Sequence, residues 1–192
     1  MRVLFEGIDG CGKDTQIALL RKKIEFAPFK YPTKQFSPIW DYLRNKDAVH
    51  PRGLFLLFLA DIANEQKRME EAQGLSVIDR YVMSTIAYEV DEFSYGQAKD
   101  IVSDIGFIRP DIVFLLDLPA EIACSRKQEQ KKNEGVPPDR YDLDVDYLSK
   151  VRNRFLMLKE DSFLCSRWVV LDATRPAEEI HTEILMMIKG QK

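Results

Sequence analysis

The chain carries its most legible chemistry close to its start, where Gly7-Ile8-Asp9-Gly10-Cys11-Gly12-Lys13 follows the spacing G-x-x-x-x-G-K. In such a loop backbone N–H groups wrap phosphate oxygens and the lysine reaches the terminal phosphates of a nucleotide. A helix starting after Gly12 would add its free N–H groups and positive dipole end to the same anion site. The next position is usually Ser or Thr, whose hydroxyl holds magnesium. Here it is Asp14, followed by Thr15, and a carboxylate is also a hard oxygen ligand. The competing reading is a chance glycine turn. It is disfavoured by the apolar run before the loop and by the apolar helix positions Ile17, Leu19 and Leu20 after it.

Further candidates stand at the ends of other apolar runs. Asp79-Arg80-Tyr81 follows one and Asp117 ends another. A carboxylate at Asp79 suits magnesium, directly or through water, and the planar fork of Arg80 suits a phosphate. An ordinary salt bridge at a strand end is the plain alternative for Asp79 and Arg80, and the neighbouring phosphate loop weighs against it. Cys11, Cys124 and Cys165 are odd in number and lack C-x-x-C spacing, so neither a disulfide framework nor a zinc site is expected. A reducing, cytoplasmic setting follows. Cys11 beside Lys13 is better read as a small residue filling a tight turn than as a reactive thiolate.

The elements that must position these groups are short runs rich in Val, Ile, Leu and Phe: Val3–Phe5, Leu75–Ile78, Ile112–Leu116 and Trp168–Leu171. They are apolar throughout and do not alternate, as in buried parallel strands. A weaker strand over Phe26–Tyr31 contains Pro28, which suits only a sheet edge. Helices are predicted over Lys13–Ile24, Pro38–Asn45, Gly53–Ala72, Val82–Glu89, Tyr95–Ile105, Ala120–Lys131, Val145–Lys159 and Ala177–Ile188. Alternating strands and helices imply a parallel sheet covered on both faces, with ligands at the carboxyl ends of its strands. The stretch KQEQKKNEGVPP, residues 127–138, reads as a loop by composition.

At 192 residues the chain suits one domain, 1–192, with a core large enough to need no disulfides. A net charge of -3 argues against a nucleic-acid coat. No signal peptide and no membrane span are expected, because the apolar run after Arg2 stops at Glu6.

Five stretches, in order, resemble the thymidylate kinase family: FEGIDGCGKDTQ its phosphate loop, DRYVMSTIAY its nucleotide-binding signature, and RPDIVFLLDLPAE its fourth strand. DRYDLD with the helix from Tyr147 to Leu158 resembles its lid exit, and RWVVLDATRPAEEIH its last strand and adenine loop. The resemblance implies a three-layer α/β P-loop NTPase fold, a five-stranded parallel sheet flanked by helices with a short helical lid at about 126–140. It implies transfer of the γ-phosphate of ATP to dTMP, within dTTP biosynthesis. Lys13 and the loop residues Gly7, Ile8, Asp9, Gly10, Cys11, Gly12, Asp14 and Thr15 would hold ATP. Asp79, with Asp9 and Asp14, would organise Mg2+. Arg80 would grip the acceptor phosphate, and Arg126 and Arg140 would close over ATP. Thr174, Arg175 and Pro176 would border adenine. Tyr31, Pro32, Lys34, Phe58, Ser84, Thr85 and Tyr88, with Asp9, would receive the monophosphate, Phe58 by stacking and Tyr88 by crowding out a ribose 2′-hydroxyl.

Some positions depart from the family pattern. Lys34 stands where an arginine is frequent, Gly10 where some members carry an arginine, and Ile62 where an arginine reads the base. Asn64 and Arg68, further along the same predicted helix, are the substitutes for that reader. A related kinase for another nucleoside monophosphate or a deoxynucleoside, and a nucleotide-binding protein without turnover, stay open as alternatives. The resemblance also implies a homodimer, with spare apolar residues from Leu54 to Leu59 facing either the core or a partner.

Overall fold

The computed structural model describes residues 1–44, 49–135 and 143–190. Its strands are β1 (Arg2–Glu6), β2 (Ala27–Lys30), β3 (Ser76–Asp79), β4 (Ile112–Asp117) and β5 (Trp168–Asp172). All neighbours run parallel, in the order β2-β3-β1-β4-β5. The strands predicted from apolar runs are all present, and the Pro28 strand is at the edge. There its proline removes no hydrogen bond the sheet needs.

The order places β1 in the middle, between β3 and β4. Val3, Leu4, Phe5, Ile78, Val113 and Phe114 are wholly buried, as expected for strands covered on both faces. Phe5 pairs with Asp79, and Glu6 with Leu115. The register therefore brings the end of β1, Asp79 and Asp117 to one edge of the sheet.

Helices α1 (Lys13–Arg21), α2 (Ser37–Leu43), α3 (Pro51–Asn64), α4 (Gln66–Glu71), α5 (Val82–Tyr88), α6 (Tyr95–Ile105), α7 (Ala120–Glu134), α8 (Val145–Glu160) and α9 (Ala177–Lys189) connect the strands. The single helix predicted over Gly53–Ala72 is two, broken at Glu65. The cause is Gln66: its side-chain N–H donates to Ile62 O at 3.0 Å, while its Oε1 accepts from Tyr81 Oη at 3.0 Å and Ile108 N at 2.9 Å. These long-range partners turn the chain where local propensity favours continuing the helix. Helix α7 runs three residues past its predicted end at Lys131, so Arg126 lies within a continuous helix.

Candidate active site

The loop between β1 and α1 packs against β4 and α7 so closely that side chains are excluded at two points. A Cβ on Gly7 would lie 2.6 Å from Leu116 O, and one on Gly10 would lie 2.7 Å from Ala123 O. Both glycines also have positive φ, 138° and 81°. The arginine carried by some family members at position 10 has no room in this loop as it is packed. Lys13, 7% exposed, folds back over the loop, donating to Gly7 O at 2.8 Å and Ile8 O at 3.1 Å. A lysine so placed is already at the loop's rim, with carbonyl partners that a phosphate can replace.

On the β3 side of the loop, Arg80 is the centre of a second cluster. Its backbone has φ 64°, a conformation L residues rarely adopt. The guanidinium donates to Asp9 Oδ1 at 2.6 Å, to Ser84 Oγ at 3.1 Å and to Tyr88 Oη at 3.3 Å. Tyr88 in turn donates to Asp9 Oδ2 at 2.7 Å. Burial works against ionisation of Asp9, but the charges of Arg80 and Lys13 outweigh it and hold its carboxyl well below the usual range. Thr85 is buried one residue beyond Ser84.

This arrangement depends on Glu6, which lies just outside the G-x-x-x-x-G-K motif. It is fully buried at the end of β1 and accepts from Tyr81 N at 2.8 Å, Ser84 N at 3.2 Å and Ser84 Oγ at 2.5 Å. It thus caps the start of α5 from another strand and fixes Ser84 against Arg80. The only sequence signal was a lone acid at the end of an apolar run.

Toward β2, the Lys30 ammonium lies 2.5 Å from Asp14 Oδ1 and 2.7 Å from Asp79 Oδ2. Asp9 faces Arg80 instead, and among the described residues no three His, Cys, Asp or Glu side chains gather as a metal-holding group. The donor set at Asp14 and Asp79 nevertheless fits a cation that prefers hard oxygen, since it already gathers one ammonium there.

Other predicted residues are spread along the loops around this edge. Tyr31 is buried and Lys34 exposed. The turn between them is fixed by Asp61, which accepts from Thr33 N at 2.7 Å and from the Thr33 hydroxyl, and by Trp40 Nε1 donating to Thr33 O at 2.7 Å. Phe58 is half-buried on α3 and stands outside the core cluster, whereas Ile62 is 1% exposed within it. Neither substitute for the base reader fills its place. Asn64 donates to Gln35, and Arg68 pairs with Glu65 and lies 3.9 Å over the Phe29 ring.

Arg126 donates to Ala173 O at 3.1 Å, joining α7 to the loop that carries Thr174, Arg175 and Pro176. Gln16 of α1 donates to Ala177 O, in the first residue of α9 just after that loop, at 2.9 Å. Arg175 turns toward Glu183 and Glu179 of α9, and Thr174 hydrogen-bonds Asp172. Asp117 is held by both arms of a bidentate Arg152, at 2.6 and 2.8 Å. Arg140 and the lid's tip lie outside the described residues.

A glycine-rich loop ending in a lysine at the central strand of a parallel sheet, with charged groups at the adjoining strand ends, defines a P-loop protein of the α/β class. More particularly, the chain belongs to the thymidylate kinase family, whose model, described as thymidylate kinase, matches residues 5–184. A probable thymidylate kinase of Methanocaldococcus jannaschii is 34% identical over 197 residues, spanning 99% of this chain and 96% of its own. A thymidylate kinase of Fervidobacterium nodosum is 31% identical over 205 residues, spanning 99% of each. The solved structure of a Candida albicans thymidylate kinase shares the fold, with a TM-score of 0.75 at 24% identity over 99% of this chain and 91% of that one.

Proposed function

We propose that this chain transfers the γ-phosphate of ATP to thymidine monophosphate, giving the diphosphate and ADP. The observation that carries the reading is the position of the Asp9–Arg80–Tyr88 cluster beside the glycine loop with Lys13, on the edge where ligands of parallel α/β sheets bind. The loop and Lys13 serve the donor phosphates. Arg80 serves the acceptor, preset by Asp9 and Ser84 so that little side-chain freedom is lost on binding.

An acceptor monophosphate is mostly doubly ionised at neutral pH, its second pKa being about 6. No general base is therefore needed. The work is alignment and neutralisation of anions, in which Lys13 and Arg80 take part with Arg126 and Arg140 of the lid. Asp14 and Asp79 would hold Mg2+, which when bound supplies positive charge to the donor phosphates. Phe58 offers a face for the base, and selectivity at the base then comes from stacking and from backbone groups, since Ile62 is committed to the core.

The test is a panel of nucleoside and deoxynucleoside monophosphates assayed with ATP for ADP release. Thymidine monophosphate is expected to give the highest kcat/KM. Preference for another monophosphate, or no release with any, would reject the assignment. Lys13→Ala is expected to keep the wild-type circular dichroism spectrum and to lower turnover by about a hundredfold or more. Near-wild-type turnover in that variant counts equally against it.

A further inference from the structure

We infer that Lys30 is a built-in counter-ion standing in for the divalent cation: in the nucleotide-free chain its ammonium bridges Asp14 and Asp79, and the cation binds there only by displacing it. The inference rests on the proposed reading of Asp14 and Asp79 as the metal-side carboxylates. Lys30 ends the edge strand β2 and pairs in register with Asp79, so both side chains leave the same face of the sheet. That face also receives Asp14 from the first turn of α1, and the ammonium meets both carboxylates, at 2.5 and 2.7 Å.

The plain account of Lys30 is a charge that discourages pairing at a sheet edge, or a stabilising ion pair. Neither accounts for the geometry. An edge lysine needs only solvent. The contact with Asp79, whose side chain is 7% exposed, does stabilise a buried carboxylate, but it requires no reach to Asp14, and the contact with Asp14 adds little stability because those two side chains are 60% and 83% exposed and water screens them. What the bridge does is specific to position 14. A carboxylate beside the phosphate loop repels an incoming polyphosphate unless a cation accompanies it, a difficulty that a Ser or Thr hydroxyl never raises. Asp14 thus brings a need for positive charge, and Lys30 is the group in contact with it that meets the need before metal arrives.

The consequence is that free divalent cation binds weakly to this protein and enters together with the nucleotide. Mn2+ serves as the probe, its binding to nucleotide-free protein followed by electron paramagnetic resonance. Lys30→Met and Lys30→Gln are both expected to bind Mn2+ at least about tenfold more tightly than the wild type, because a like charge has been removed from contact with the site. Adding Asp14→Asn to Lys30→Met should abolish the gain. Equal Mn2+ affinity in wild type and both single variants overturns the inference, as does a gain that survives Asp14→Asn. Using Met and Gln guards against a packing artefact, and thermal melts of each variant confirm folding. ATP binding measured with Mg2+ in excess reports separately on the glycine loop: its absence in the wild type would defeat the kinase reading, while the Mn2+ comparison on nucleotide-free protein would still judge Lys30.

Discussion

Glu6 is a carboxyl group with no exposed surface, and its ionised form has lost water that three hydrogen bonds only partly replace. Burial raises its pKa from 4.5 to about 7, against the opposing pull of Ser84, Arg80 and Lys13. Because the folded value lies above the unfolded one, Glu6 favours the fold fully below about pH 4.5, and that contribution fades as pH rises through about 7. Glu6→Gln removes the titration. The difference in unfolding free energy between wild type and variant should therefore change by an amount on the order of 1–3 kcal/mol between pH 4.5 and 8. Parallel urea-denaturation curves across that range would show that Glu6 titrates normally. The buried role of Glu6 was not legible in the sequence, since an acid before a glycine loop reads as part of the loop. Lys13, Asp9 and Arg80 were legible because the motif spacing fixes them at strand ends. Their mutual hydrogen bonds, between residues 71 positions apart for Arg80 and Asp9, were not.

At the level of elements, continuous apolar runs made the strands readable, as did Pro28 for the edge. The break between α3 and α4 was unreadable, because Asn64, Glu65 and Gln66 carry no stop signal and the cause is Gln66 reaching Tyr81 and Ile108. A similar long-range tie joins α3 to the loop after β2. Asp61 is wholly buried and holds the Thr33 backbone N–H and hydroxyl, setting the path of Tyr31 to Lys34. Asp61→Ala leaves those donors without their acceptor, which costs about 1–3 kcal/mol of stability. If this loop receives the monophosphate, the variant should raise the KM for the monophosphate several-fold with the KM for ATP within about twofold of wild type. A rise confined to the KM for ATP would place the loop elsewhere in function.

Across the whole molecule, the last helix closes on the first. Gln16 of α1 and the carbonyl of Ala177, 161 positions later, are hydrogen-bonded, and Ile180, Ile184 and Ile188 of α9 are buried in the common core. Unseating α9 thus opens the phosphate-loop helix, so a weakness on α9 is a weakness of the whole fold. His181 is such a place. It is 5% exposed, and neither ring nitrogen has a hydrogen-bond partner among the described residues. Burial pushes its pKa below 6.5, Glu178 opposing and Lys23 assisting. The fold therefore favours the neutral ring. Stability is fully present above the unfolded value near 6.5 and declines as pH falls below it, when the unfolded chain binds the proton more readily. This trend is opposite in sign to that of Glu6, so each must be isolated by difference. His181→Leu removes the titrating ring from an apolar setting and should flatten the fall in Tm between pH 7.5 and 5.5, scanned by calorimetry at about half-unit steps. An identical fall in wild type and variant would mean that the ring is protonated in the fold without cost. In that case the coupling of the two terminal helices would have no pH dependence at this residue.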